Sequence, residues 1–256
     1  MVSQCCSVPV KEKWLCVSAL DVLSELKKLA SPGKAAELQR FFKTGTGEYA
    51  EGDIFLGVVV PKTRKVAAKH SGLSLTDIEK LTKSDFHEAR LCGLIILCNQ
   101  FKKSKSTEAQ KKLFDFYMQQ VYKGRVNNWD LVDVTAPTLG QYLVDSKNPL
   151  PLLRKLSKSQ SLWERRVSII LTFAFIRDGE FEPTYEISEK LLTDEHDLIH
   201  KAVGWMLREM GKRDPGLLRA FLQEHSSKMP RTALRYSIEK LPERERKKWL
   251  LESKRI

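Results

Sequence analysis

The stretch LIHKAVGWMLREMG, residues 198–211, shows the pattern that decides the fold. Its apolar residues recur at the spacing of an α-helix with about 3.6 residues per turn, and they are Ile199, Val203, Met206, Leu207 and Met210. The same period runs through HEARLCGLIILCNQF, residues 87–101, and LWERRVSIILTFAF, residues 162–175. Clear alternation with period two is absent from the chain. The pattern therefore predicts an all-α protein.

The helical segments form a weak repeat. Matching positions near their starts are 30 to 40 residues apart, and these positions are Glu88, Asn128, Glu164, His200 and Pro230. That interval is typical of two-helix units of the HEAT type, which stack into a superhelix. We therefore predict a right-handed α-solenoid with a concave side that can hold an extended ligand.

Three segments look like functional motifs, but we interpret each of them as structural. IFLGVVVP, residues 54–61, has the composition of a strand but is short, so we predict a buried connector that leads into a helix. GTGEYAEGD, residues 45–53, lacks the lysine and hydroxyl of a phosphate loop and predicts a plain turn. His196 and His200 have the spacing of a zinc pair, but no third ligand is evident. We interpret them as part of a solvated helix face and expect no metal.

The charge balance favours a polyanionic partner. The 256 residues include 44 lysines and arginines against 32 acidic residues, which gives a net charge of +12 and a pI near 9.4. Nucleic acid is the first candidate for such a partner. The alternative is a solvated basic surface that binds nothing in particular.

Cysteine usage and the lack of long apolar runs indicate the compartment. The five cysteines form neither a zinc-type pair of pairs nor an even disulfide framework, which is typical of a reducing compartment. Charged residues 11–13 interrupt the start of the chain before any long apolar run, so we expect no signal peptide. No uncharged stretch approaches the ~20 residues of a membrane span. We expect a cytoplasmic protein, associated with the nucleoid if it is bacterial.

Two tryptophans lie off the apolar stripes of their helices. Trp205 has Lys201 four residues before it and Arg208 three residues after it, so an aromatic ring stands between two cations. Trp129 shares a helix face with Asp133, roughly 40° away. The alternative is that each tryptophan packs against the next repeat. Two such tryptophans on related helices favour a ligand-binding face.

Arg166 shows the opposite anomaly. It shares an apolar stripe with Trp163 and Ile170, while Arg165 takes the polar side. A guanidinium in an apolar stripe needs an anion. The sequence offers two anions, the Asp133 carboxylate one repeat earlier, as a structural bridge, and a phosphate that a ligand brings.

The residues described so far resemble those of a known family, the AlkD-like DNA alkylation-repair glycosylases, which are HEAT-like repeat proteins. The resemblance covers roughly residues 35–240, and its segments are FLGVVVPKTRK, NNWDLVD, LWERR and KAVGWMLRE. The last three together are specific. Residues 1–20 have no counterpart, so we predict an N-terminal extension of residues 1–20 and a single repeat domain of residues 21–256.

The resemblance implies roles for individual residues. Trp129, Asp133, Arg166 and Trp205 are expected to form the active site, with Asp133 as the catalytic carboxylate. A family aromatic that is usually tyrosine aligns with Phe41, where any hydroxyl contact is lost. The residues expected to contact DNA are Trp129, Trp205, Arg166, Phe41, Arg208, Lys201 and Arg64.

The chemistry that the resemblance implies needs only one carboxylate. A purine alkylated at N3 or N7 is already cationic and leaves as a neutral base, so the general acid of most glycosidases is not required. We therefore predict a monomeric, cofactor-independent and monofunctional glycosylase that acts on alkylated purines in double-stranded DNA and leaves an abasic site. Whether the base is flipped out of the duplex or stays stacked is open. The alternatives are a catalytically silent repeat protein that binds structured DNA or RNA, and a protein-interaction scaffold.

Overall fold

The structure, a computed structural model, describes residues 17–146 and 148–252. Within these ranges the regular elements are helices, and one isolated bridge joins Ile54 to Phe86. The helices are α1 (Ala19–Lys28), α2 (Pro32–Phe41), α3 (Val60–Lys69), α4 (Leu75–Thr82), α5 (His87–Lys103), α6 (Thr107–Tyr122), α7 (Trp129–Leu139), α8 (Gln141–Val144), α9 (Leu150–Ser157), α10 (Leu162–Asp178), α11 (Glu182–Lys190), α12 (Asp197–Arg213), α13 (Pro215–His225), α14 (Arg231–Ser237) and α15 (Glu243–Glu252). The all-α prediction is confirmed.

Helices α5, α7, α10, α12 and α14 form an inner row in which each helix packs on the next. Helix α9 packs on α10, α11 packs on both α10 and α12, and α13 packs on α12, so these three form an outer row. This stacking is the arrangement that a two-helix repeat predicts. The matching positions of the sequence repeat lie at the helix starts, since Asn128 directly precedes α7 and Pro230 directly precedes α14.

Helix α10 is the centre of the core. It packs against α7, α9, α11 and α12, so apolar residues on most of its sides are fully buried, among them Ile169, Ile170 and Phe175. Each such side chain stabilises the fold by about 1.5–3 kcal/mol relative to its exposed state. The helix begins after Ser161, whose side chain accepts a hydrogen bond from the Glu164 amide, and ends at Gly179, whose φ is 88°.

The approach of α12 to α14 depends on Gly204. A Cβ at this position would lie 2.5 Å from the carbonyl oxygen of Ala233 and 2.5 Å from Cβ of Tyr236. No side chain fits in that space, so only glycine allows the two helices to come this close. The residue therefore fixes the place of its neighbour Trp205 relative to α14.

The connector predicted from IFLGVVVP is present, and Glu88 holds it. The Glu88 carboxylate accepts hydrogen bonds from the amides of Leu56, Gly57 and Val58, at 2.9, 2.8 and 3.0 Å. The connector is only partly buried, because Phe55 and Val58 are buried while Ile54 and Val59 are exposed. In its buried part these three amides would otherwise lack partners. The connector leads into α3, as predicted, and Pro61 is the second residue of that helix.

Cys92 and Cys98 are free and buried, whereas Cys5, Cys6 and Cys16 lie outside the described residues, as does most of the predicted extension of residues 1–20. None of the helices in the described part of the chain has both the length and the apolar character that crossing a membrane requires.

Candidate active site

The N-terminal ends of α7, α10 and α12 meet at one cleft, which has a volume of about 490 Å³. Asp133, Arg166 and Lys201 line it, and each lies four residues after the first residue of its helix. An equal distance from the helix start therefore brings these three side chains to one cleft, although they are not matching positions of the sequence repeat. Trp129 and Trp205 line the same cleft. Because the N-terminal ends of helices carry partial positive charge, this end of the inner row favours anions.

Asp133 and Arg166 form a two-pronged ion pair across α7 and α10. Nε of Arg166 donates to Oδ1 of Asp133 at 3.0 Å, and Nη2 donates to Oδ2 at 2.8 Å. The third prong, Nη1, donates to the carbonyl oxygen of Leu198. Arg166 is only 4% exposed, whereas the Asp133 side chain is 17% exposed. Of the two anions that the sequence offers to Arg166, the carboxylate is present, and contact with a phosphate stays a prediction.

Two opposing effects act on the pKa of the Asp133 carboxyl. Burial raises the pKa of its carboxyl above the ordinary value, and the charge and hydrogen bonds of Arg166 oppose this rise. The paired guanidinium also fixes the plane of the carboxylate. Each carboxylate oxygen can accept more than one hydrogen bond, so Asp133 can still accept one from a ligand in the cleft.

A column of stacked rings supports Trp129 from beneath. Phe42 stacks on Trp129 with ring centroids 5.1 Å apart and an interplanar angle of 11°. Phe55 stacks on Phe42 at 5.0 Å, and the His87 imidazole stacks on Phe55 at 4.5 Å. Aromatic pairs of this kind stabilise by about 0.5–1.5 kcal/mol beyond their burial. This ring column fixes the orientation of the Trp129 indole relative to α5.

The column ends in a buried charge cluster made of Asp53, His87, Arg90 and Asp130. Nε2 of His87 lies 2.8 Å from Oδ2 of Asp130, and Nδ1 lies 3.0 Å from Oδ2 of Asp53. Nη2 of Arg90 donates to Oδ1 of Asp53 at 2.5 Å. Burial disfavours a charged imidazole, but the two carboxylates outweigh it and raise the pKa of His87 to about 9. His87 is therefore a cation at neutral pH and donates from both nitrogens.

The segment GTGEYAEGD, predicted to be a plain turn, places the Tyr49 side chain in the cleft. The Tyr49 ring meets Trp163 edge-on, with centroids 6.2 Å apart. Burial raises the pKa of the Tyr49 hydroxyl, and a hydrogen bond with the Trp129 side chain opposes that rise. The sequence interpretation missed Tyr49, since nothing in a turn pattern shows which way its side chains face.

The cations predicted beside Trp205 are at the cleft, but both are ion-paired. Lys201 lies 2.8 Å from Asp197, and Arg208 pairs with Glu209 at 3.2 Å and also with Glu239. Trp205 itself packs against Phe173, with ring centroids 5.9 Å apart. Trp205 is half-buried, so it both packs against a neighbouring helix and lines the cleft.

The remaining predicted contact residues differ in position. Phe41 lines the cleft, is 65% exposed and meets the Trp129 ring edge-on at 6.0 Å. Arg64 is exposed on α3 and is not among the residues that line the cleft. Lys43 and Tyr236 do line it, although the sequence interpretation did not include them. Lys43 has a φ of 54°, a conformation that is uncommon for a residue other than glycine.

His196 and His200 are not a zinc pair in this structure. Nδ1 of His196 accepts a hydrogen bond from the Leu198 amide, and Nε2 of His200 lies 2.5 Å from the carbonyl oxygen of Asp194. The interpretation of a solvated helix face is wrong, because both rings are partly buried and engaged with the backbone at the start of α12. His196 lines the cleft as well.

Comparisons with known proteins give one family match and one similar fold. The family model described as "DNA alkylation repair enzyme" matches residues 22–241. A solved structure titled "Predicted DNA alkylation repair enzyme from Enterococcus faecalis" superposes with a TM-score of 0.66 over 84% of this chain and 97% of that chain, at 18% sequence identity. None of the curated proteins gives a significant match.

Proposed function

The chain belongs to the family of DNA alkylation repair enzymes, and from that premise we propose that it is a monofunctional DNA glycosylase. The proposed substrates are cationic N3- or N7-alkylated purines in duplex DNA, and the products are the free base and an abasic site. One observation carries the proposal. A carboxylate, that of Asp133, is held by Arg166 at a cleft that two tryptophans also line.

The proposed reaction is hydrolysis at C1′ of the deoxyribose. The bond between C1′ and the purine nitrogen breaks, its electron pair goes to the cationic purine, and the base leaves neutral. Water then adds to C1′ and loses a proton. Asp133 stabilises the oxocarbenium character that develops on the sugar and orients or deprotonates the water. Arg166 acts on this chemistry by holding the carboxylate.

The aromatic residues suit a cationic substrate. The π-faces of Trp129 and Trp205 attract positive charge, and both rings line the cleft with Asp133. Phe41 and Tyr49 extend this aromatic lining beside Trp129. Asp197 also lines the cleft but is paired with Lys201. The rings and the Asp133 carboxylate favour a sugar and base that carry positive charge over a neutral nucleotide.

The state of Lys201 supports a monofunctional enzyme, that is, one that does not attack C1′ with an amine and then cut the DNA strand. A lysine that forms a Schiff base at neutral pH needs a lowered pKa. A hydrogen bond to Asp197 instead raises the pKa of Lys201. Lys201 therefore remains an ammonium group, which suits contact with a phosphate and not attack on C1′.

Release of free base from methylated duplex DNA tests the proposal. Purified protein is incubated with the DNA, and released bases are separated by chromatography beside a sample without protein. We expect free alkylpurine and strands that break only after alkali or heat, which is the behaviour of an abasic site. Binding without release would favour the silent DNA-binding protein, and neither binding nor release would favour the scaffold.

A further inference from the structure

Outside the cleft, the C-terminal turns of α11 and α13 bring three metal-ligating side chains together. These are Glu189 on α11 and Glu224 and His225 on α13. One ligand atom from each lies within 4.8 Å of the other two. None of the three lines the cleft, so the group is separate from the proposed active site.

The His225 imidazole has an unused nitrogen that faces this group. Its side chain is 8% exposed, and Nε2 is buried without a hydrogen-bond partner. The nearest carboxylate oxygen, Oε2 of Glu224, is 3.6 Å away, beyond hydrogen-bond distance. Phe221 holds the ring, with centroids 4.6 Å apart. A buried polar nitrogen without a partner is destabilising, and a metal ion is one partner that a neutral imidazole accepts.

The two carboxylates also lack a strong cation among the described residues. No described lysine or arginine lies within ion-pair distance of Glu189 or Glu224, although the chain has a net charge of +12. Oε2 of Glu224 accepts a hydrogen bond from the Tyr185 hydroxyl at 2.9 Å. Burial and this contact raise the pKa of Tyr185 to about 12, so the hydroxyl stays a donor and orients the carboxylate.

From this geometry we propose that Glu189, Glu224 and His225 bind one divalent metal ion and so join α11 to α13. The chemistry of these three ligands favours zinc. One imidazole nitrogen and two carboxylate oxygens are common zinc donors, and water completes a tetrahedron. Metal-to-ligand distances of about 2.0–2.2 Å require the ligand atoms to close by roughly 1 Å. The two glutamate side chains are exposed and can make that movement.

The ion would join neighbouring helices of the outer row, so its role is structural. The sequence patterns predict no metal here, because Glu189 and Glu224 lie 35 residues apart and the adjacent pair of Glu224 and His225 matches no zinc spacing. The alternative is that the three side chains bind no ion.

Zinc titration of the full-length protein tests whether the three side chains bind the ion. A chromophoric chelator measures affinity, and thermal unfolding measures stabilisation by the bound ion. We expect one zinc ion whose affinity falls at least tenfold in His225→Gln and in Glu189→Gln. His200→Gln is the matched control, because that histidine is bound to the carbonyl of Asp194 and is expected to leave zinc affinity unchanged.

Three results would overturn the proposal. The first is no zinc binding at a large molar excess, and the second is zinc affinity that Glu189→Gln leaves unchanged. Glu189 is exposed, so that variant remains informative if the replacement of buried His225 prevents folding. The third is an equal loss of zinc affinity in His200→Gln and Glu189→Gln, since it would show that the loss is not specific to the three proposed ligands.

Discussion

Helix α7 carries two aspartates three positions apart, and each is paired with a cation. Asp133 pairs with Arg166 and faces the cleft. Asp130 pairs with His87, belongs to the charge cluster and does not line the cleft. Their side chains are similarly buried, at 17% and 10% exposure. Neither burial nor ion pairing therefore distinguishes a candidate catalytic carboxylate from a structural one.

The surroundings beyond the first partner make the difference. Behind Asp130 stand His87, Asp53 and Arg90, so its negative charge stabilises the protein itself. In front of Asp133 is open cleft, so its charge is available to a ligand. The two regions are joined, because the ring column runs from His87 to Trp129. The comparison predicts that the Asp130 region mainly affects stability and the Asp133 region mainly affects base release.

The largest expected effect is that of Asp133→Asn. Loss of the charge removes the stabilisation of the developing oxocarbenium ion, so base release is expected to fall by about 10²- to 10³-fold. DNA affinity is expected to hold or improve, since a negative charge facing a polyanion is lost. Single-turnover base release and a binding titration measure the two effects. Unchanged base release would remove Asp133 from the mechanism.

The second effect is on stability and concerns His87→Gln. The raised pKa of His87 means that its charged form stabilises the folded state, by roughly 3 kcal/mol for a rise from 6.5 to about 9. This contribution is fully present below pH 6.5 and is lost as the pH rises through about 9. Urea unfolding of the variant and the wild type across pH 6 to 10 measures it.

Asp130→Asn is the matched comparison for Asp133→Asn. We expect it to lower the free energy of unfolding, because it removes a partner of the buried His87 cation. Base release per folded molecule is expected to change little. A folded Asp130→Asn protein that releases no base would break the division of roles between the two aspartates.

The third effect links the two regions and concerns Phe42→Leu. Loss of the ring that stacks on Trp129 frees the indole, so we expect base release to fall about tenfold while affinity for undamaged DNA holds. Phe101→Leu is the control, because it removes an equally buried ring from α5 outside the column. Equal losses of activity in both variants would mean that the ring column contributes only stability.

The smallest effect is that of single cations on DNA binding. Lys43 is exposed at the cleft, so Lys43→Ala is expected to weaken binding to undamaged duplex a few-fold and to reduce the salt slope by about one. Lys112 is exposed on α6, outside the cleft lining, and Lys112→Ala is the charge-matched control. Arg64→Ala tests whether the DNA path continues onto α3. Affinity that is flat with salt would contradict a polyanionic partner.

Helical periodicity was sufficient to predict the fold and part of the cleft. The helical wheel placed Trp129 and Asp133 together off the apolar stripe of their helix, and both line the cleft. The stripe that contains Arg166 also pointed to its need for an anion, and Asp133 was one of the two candidates. The functional roles of these residues stay predictions.

Features that depend on contacts far apart in sequence were not predictable in this way. The ring column joins Phe42 and Phe55 to His87 and Trp129 through a turn and a connector that have no period. Tyr49 also lies in a segment without a period, so the sequence does not show that its side chain lines the cleft. Arg208 of α12 pairs with Glu239, which follows α14, and a helical wheel of α12 alone does not show this ion pair.

Excision of single defined lesions tests the central claim most directly, namely that the charge of the substrate replaces a general acid. Oligonucleotide duplexes carry either a cationic purine, such as N7-methylguanine, or a neutral lesion, such as hypoxanthine, uracil or 8-oxoguanine. We expect rapid release of the cationic base, neutral lesions that are nearly inert, and loss of the release of the cationic base in Asp133→Asn. Comparable rates for N7-methylguanine and hypoxanthine would show that another group protonates the leaving base, and they would contradict the single-carboxylate mechanism.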